Sequence, residues 1–230
     1  MREILYQGFT VVFFPTNFIA NDKVFDLATK IKQQLNPAKL QVNNMVSLPA
    51  GMPAPFPLMT TYLSSGWKVT VIANRVDCVL QQFNVKGNEL PDNFFDSLLS
   101  LFTVLSSIFP INRIGIVGQY QDFSEKGYEE LSNRFLVPTL KDKQVKFNSL
   151  GFYVKREESN LSFFDNFQIV RQEMNKEGKN VDLLSITRDL NTGKQEKNFT
   201  KETLQTFFQI ARSLLSISQI EEDIYGSDGK

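Results

Sequence analysis

The chain has no histidine among its 230 residues. Histidine is the side chain whose unperturbed pKa suits proton transfer near neutrality, so its absence excludes Ser-His-Asp, Cys-His and His-ligated metal chemistry together. Carboxylate, lysine, serine and backbone-donor chemistry survive. There is one cysteine, which excludes an internal disulfide framework and a cysteine-based zinc cluster. Cys78 shares a strand face with Val76 and Leu80 and has no neighbouring base to activate it; it reads as a small buried hydrophobe. Glycine-rich phosphate loops of the P-loop or dinucleotide-binding kind are missing. The expectation is therefore no cofactor and no metal site, and catalytic residues cannot be named.

Net charge is also lacking. The 25 basic and 25 acidic residues cancel, so the chain has no basic excess to grip nucleic acid or an anionic membrane without regard to sequence. No apolar run reaches the roughly 18 residues of a membrane-spanning helix. The opening Met1-Arg2-Glu3-Ile4-Leu5 has no apolar signal core, and a cytoplasmic location is expected. The adjacent pairs Glu129-Glu130 and Glu157-Glu158 direct their side chains apart, which suits solvated positions better than a metal site.

What the chain does have is phenylalanine, 21 residues against 6 Tyr and 1 Trp. Phe has no polar tip, so this choice favours buried packing over wet recognition surfaces. At 42% hydrophobic and 22% charged the composition is that of a globular protein. One stripe occurs twice. Phe95, Leu98, Leu99, Leu101, Leu105 and Ile108 return at a constant offset as Leu204, Phe207, Phe208, Ile210, Leu214 and Ile217. Both stripes have helical spacing. Each follows strand-like segments, and each set of those follows a strand and a shorter helix.

The strand patterns predict elements near residues 3–14, 40–48, 67–73, 76–80, 111–123, 145–157, 161–173 and 180–189. Helices are expected from Asn21 to Leu35, from Asp92 to about Phe109, from Ser124 through Phe135, and after the cap Thr200. The expected fold is α+β, an internal duplication of a β-α-β(3-4)-α unit with mainly antiparallel curved sheets and helices packed on one face. Residues 1–110 form the first repeat, 111–220 the second, and 221–230 a flexible acidic and polar tail. This order of elements is similar to the duplicated unit of the TATA-binding protein. The run Trp67-Lys68-Val69 leading to Arg75, a long helix and then Asn112-Arg113-Ile114-Gly115 resembles a sporadic uncharacterised family of bacterial and phage proteins of about this length. That resemblance implies a bacterial or phage origin and brings no activity with it.

Three groups of residues are candidates for function. Opposite its leucines the helix after Asp92 carries Ser97, Ser100, Thr103 and Ser107, with charges only at Asp92 and Asp96. A surface helix normally bears Lys, Glu and Arg there, so this face is expected to be covered by the other repeat or by a second chain. Four prolines hold residues 48–57 extended and leave Met52 and Phe56 as contact candidates for a partner or a second copy. Arg75 and Asp77 share a strand face, with Arg113 as a possible third member of a polar sheet-face site. Lys155, Arg156, Arg171 and Arg188 come from the strands of the second unit and could line one patch for nucleic acid. The leading reading is a non-catalytic interaction, scaffold or regulatory protein that associates with itself or another protein. Nucleic-acid binding on the sheet is the alternative, where Phe wedges could bend DNA. An enzyme with a carboxylate and arginine cleft between the repeats is the third reading.

Overall fold

A computed structural model describes residues 4–34, 42–47, 57–63, 67–80, 94–136, 148–176 and 178–226. Nine described strands form one sheet: β1 (Leu5–Pro15), β2 (Val42–Ser47), β3 (Met59–Leu63), β4 (Trp67–Ile72), β5 (Arg75–Leu80), β6 (Ile111–Ser124), β7 (Ser149–Glu158), β8 (Leu161–Lys176) and β9 (Lys179–Asn191). Their order is β2-β3-β4-β5-β1-β6-β9-β8-β7, and every neighbouring pair is antiparallel. The described helices are α1 (Asn21–Gln34), α2 (Phe94–Ser106), α3 (Gly127–Phe135), α4 (Lys201–Leu214) and α5 (Ile217–Tyr225). The fold is α+β. β1 and β6 lie side by side at the middle, and the strands outside them run in mirrored order. Met52, Phe56 and Asp92 lie outside the described residues.

Alternation decides which face of the sheet is buried. On β1 the side chains of Phe9, Val11 and Phe13 are buried, while Thr10, Val12 and Phe14 are only half-buried. Val76, Cys78 and Leu80 on β5, Ile114, Ile116 and Tyr120 on β6, and Leu184, Ile186 and Leu190 on β9 continue the buried face. Helical aromatics meet this face at Phe9–Phe94, Phe13–Phe102 and Phe163–Phe207. Strand and helix side chains thus make one core. Each buried Phe or Leu contributes roughly 1.5–3 kcal/mol relative to exposure.

The helix ends follow local chemistry. Thr200 caps α4 by accepting from the Thr203 amide, and Ser216 caps α5 from Gln219 in the same way. Gly226, at φ +83, closes α5 in a conformation that favours glycine. α3 departs from expectation. Ser124 does not cap it; the Tyr128 amide donates instead to Asp182 Oδ2 on β9, at 2.8 Å. The acceptor comes from a distant strand, so no local sequence signal announces it. β3 also went unread, because its five residues follow directly on the proline segment.

Residues 221–225, expected in a flexible tail, are the C-terminal part of α5. Ile220 and Ile224 are buried on one side of it. Asp223 accepts from Arg188 Nη1 at 2.7 Å, and the Tyr225 hydroxyl bonds Asp122. A short acidic segment reads as a tail only while its internal partners are unknown.

Candidate interaction surface on helix α2

α2 buries Phe94, Phe95, Leu98, Leu101, Phe102, Val104 and Leu105. Of the opposite face, Ser100, Thr103 and Ser107 are exposed and Ser97 is half-buried. Cover by the other half of the chain, one of the two covers expected, is not what the structure shows. α4 packs beside α2, where Phe95 and Phe208 rings meet at 5.4 Å and the Arg212 guanidinium lies over Phe95 at 5.9 Å. That contact leaves the hydroxyl face open.

The hydroxyls on this face are already satisfied. Ser100 Oγ donates to the Asp96 carbonyl at 2.9 Å, Thr103 Oγ1 to Leu99 at 2.9 Å, and Ser107 Oγ to Val104 at 2.7 Å. A hydroxyl stripped of water without a partner costs roughly 1–3 kcal/mol. Ser100 and Thr103 carry their acceptors with them, so a partner surface can remove their water without that penalty, whereas Ser107 also accepts from the Lys30 ammonium of α1 at 3.1 Å, which sets a charge at that end of the face. Asp96, in the first turn, is the single charge on α2. Beside this face runs a groove of about 320 Å³ between α2 and α4, lined by Phe95, Asp96, Leu99, Gln205, Phe208 and Arg212. Here a carboxylate and an arginine, Asp96 and Arg212, flank the meeting line of the two helices carrying the repeated stripe.

The polar sheet-face candidates lie on the face of the sheet that is uncovered among the described residues, but not as one site. Arg75 Nε donates to both carboxylate oxygens of Asp77, at 2.9 and 3.1 Å. Arg113 is two strands away, stacked on Phe14 at 4.4 Å and bonded to Asn191 Oδ1 at 3.1 Å. β1 separates the two arginines. Arg75–Asp77 is half-exposed, so its contribution to stability is of the order of 0–1 kcal/mol. Cys78, one residue on, faces the core, and burial pushes its thiol pKa well up, with the Asp77 charge adding to the effect. The thiolate a nucleophile requires is disfavoured there.

Asp189 also stands on the uncovered face, opposite Val117 and Asn166. Burial lifts its carboxyl above the ordinary range; the Arg113 charge opposes this and the Asp165 charge adds to it. A raised folded-state pKa means that the folded chain holds the proton more tightly than the unfolded one, so stability falls as pH rises through that window. Asp189→Asn is expected to raise the urea midpoint at pH 7. The gain should vanish below about pH 3.9, the ordinary Asp value. An unchanged midpoint at pH 7 would show that the Asp189 charge carries no penalty in the fold.

The four basic candidates do not form a patch. Lys155 lies on the uncovered face and pairs with Glu157 at 2.8 Å. Arg156, Arg171 and Arg188 point to the helix-bearing face and are held by carboxylates. Arg188 is 2% exposed; it binds Asp165 (3% exposed) through Nε and Nη2, and the Leu214 carbonyl and Asp223 through Nη1. Burial works against its charge, but Asp165 and Asp223 outweigh burial and leave its pKa above the ordinary arginine value. Arg156 reaches the same Asp165 at 2.7 Å. Arg171 binds Asp182 and Glu173, each at 2.8 Å, and stacks on Tyr128 at 4.9 Å. The alternation Leu184, Ile186, Arg188, Leu190 already places Arg188 on the buried face. That signal was available in the sequence.

Among the described residues no group of three or more Cys, Asp or Glu side chains converges in a way that could hold a metal ion. None of the described helices is long and apolar enough to cross a membrane. No protein-family model matches the chain, and no curated protein matches it.

Proposed function

We propose that this chain is a non-catalytic interaction protein, a scaffold or regulator built from an internally duplicated unit, and that its α2 face receives a helix of a protein partner. The observation that carries the reading is the pairing of exposure with satisfaction along α2: Ser100 and Thr103 are open to solvent, yet each hydroxyl has its own backbone acceptor. Small side chains let a second helix approach closely. The groove beside them offers Leu99, Phe95 and Phe208 to an apolar side chain, with Arg212 and Asp96 at its rim. The mirrored strand order about β1 and β6 supports the duplication, as does the repeated stripe that places α2 against α4.

The nucleic-acid alternative requires cations free on the uncovered face. Arg75, Lys155 and Lys179 each hold a carboxylate there or at its rim, Arg188 is inside the protein, and Lys68 over Tyr62 and Arg113 on Phe14 and Asn191 stand on separate strands, β4 and β6, rather than as a cluster. The absence of histidine weighs against the enzyme reading.

Ser100→Lys combined with Thr103→Lys tests the proposal. Lysine is the better helix former, so the fold should be as stable as before or slightly more so. Two ammonium groups in a helix contact would have to be stripped of water. The partner recovered from the native host with the unaltered chain is expected to bind this variant at least about tenfold more weakly, a loss of 1.4 kcal/mol or more. Equal affinity would remove α2 as the contact.

A further inference from the structure

We propose that the outer edge of β7 pairs with β7 of a second copy, antiparallel, about a two-fold axis at Tyr153. This surface is separate from the α2 face. Among the described residues no strand lies beyond β7 in the sheet. An edge strand offers a row of N–H and C=O groups directed outward, and proteins ordinarily blunt such edges with proline, a bulge, outward charges or a cover. Among the described residues β7 has no proline, no bulge and no cover: its register with β8 runs without a shift from Ser149 to Glu158. Its charges are confined to the end from Lys155 to Glu158, where Lys155 and Glu157 are exposed and neutralise each other and Arg156 is held by Asp165 of β8.

The apolar side chains point the same way. Phe152, Tyr153 and Val154 are 38%, 66% and 46% exposed. They are consecutive, so they leave both faces of the strand apolar at its edge. Elsewhere the exposed large hydrophobics of the described chain are scattered singly, at Phe18, Tyr62, Phe123 and Met174. Lone exposed hydrophobics need no explanation, whereas a contiguous group on an unpaired edge does. Phe152 is braced by Phe135 at 5.0 Å and Tyr153 is stacked on Phe164 at 5.2 Å, so the edge is held in place before any partner arrives.

Self-complementarity identifies the occupant. With the axis at Tyr153, the two Tyr153 rings face each other and Phe152 faces the partner's Val154. Gly151, which has nothing within 4 Å of where a side chain would start, faces the partner's Lys155 and leaves room for its aliphatic stem. Leu150 faces the partner's Arg156, and Ser149 faces the partner's Glu157. No two like charges stand directly opposite, and cross-strand pairs of this kind are what stabilise a ladder. With the axis at Arg156, two guanidinium groups would meet. A foreign strand would meet the same backbone, but nothing on β7 selects one, whereas its own sequence fits it.

Light scattering of the intact chain across a wide concentration range tests this. The expected mass is twice the 26.3 kDa of one chain. Tyr153→Lys and Tyr153→Glu each place like charges across the axis and should each give a monomer. Tyr153 is largely exposed, so both should keep the unaltered circular dichroism. Mixed in equal amounts, the two variants should restore the doubled mass, because Lys then faces Glu. The α2 variant Ser100→Lys/Thr103→Lys should remain a dimer, which separates this contact from the partner site. A monomeric unaltered chain, a dimeric Tyr153→Lys, or a mixture that stays monomeric would each overturn the proposal. So would capture of another protein's strand in place of the second copy.

Discussion

Arg188→Ala is expected to destabilise the chain by about 3–5 kcal/mol, the usual cost of breaking a buried ion pair by removing one partner. Asp165, buried beside it, would keep only Arg156, whose side chain is 39% exposed. The Leu214 carbonyl at the end of α4 and Asp223 on α5 would lose the guanidinium that ties both helices to β9. Nearby, the Tyr120 hydroxyl donates to the Leu215 carbonyl at 2.8 Å. Burial raises its pKa, and the neighbouring Tyr6 adds to the effect, so the phenol stays a donor. It cannot replace a charge. The loss should appear as a lower urea midpoint at unchanged slope. Arg188→Met with Asp165→Leu removes the two most buried charges together and should recover part of the stability, because the largest penalty lies in the orphaned Asp165, while Asp223 and Arg156, which also lose a partner, can reach solvent. Arg188→Lys should recover less, since an ammonium cannot reproduce the two-point contact with Asp165. A cost below about 1 kcal/mol for Arg188→Ala would place Arg188 in solvent, in the range of surface pairs.

Phe94→Ala is expected to cost a comparable amount, about 3–5 kcal/mol. Phe94 is the first residue of α2 and is almost wholly buried. Its ring meets Phe9 at 5.1 Å, Trp67 at 5.2 Å and Phe95 at 4.8 Å. It therefore joins the start of the candidate surface to β1 and β4, and through Phe95 to Phe208 on α4. Removing it opens a cavity against Trp67, the single tryptophan, whose emission should shift to the red as its surroundings loosen. Partner affinity at α2 should fall as well, because the helix start loses its seat. The exposed Phe18 is the control: Phe18→Ala should change stability by no more than about 0.5 kcal/mol. An unshifted Trp67 emission in Phe94→Ala would mean that the aromatic cluster does not position α2.

The sheet was largely legible because strand alternation is a local signal. Val76, Cys78 and Leu80 against Arg75 and Asp77, and the two Phe- and Leu-rich helices, point to the α+β class and to most elements. What was not legible depends on contacts between residues far apart in sequence. The Asp182 acceptor at the start of α3, the Arg188 anchor for α5, and β1 between Arg75 and Arg113 all rest on the order of strands, which alternation does not encode. The misassigned arginines show the limit most clearly. Lys155, Arg156, Arg171 and Arg188 read as one patch because all four are basic and come from the strands of the second unit. The phase that Arg171 shares with Phe163, Phe167 and Ile169, and Arg188 with Leu184 and Ile186, puts those two on the buried face, while Arg156 reaches that face only through its register opposite Phe163, where Asp165 holds it. The hydroxyl face of α2 was recognised from composition alone. That each hydroxyl is bonded to its own helix required coordinates.

Site-specific photo-crosslinking in the native host separates the two faces of the molecule. A crosslinking side chain at Ser100 or Thr103 should trap one protein reproducibly, while the same group at Lys68, exposed on the uncovered sheet face at the opposite end of the sheet from β7, should trap none. Crosslinks from Lys68 with none from Ser100 or Thr103 would contradict the assignment of α2 and move the contact to the sheet.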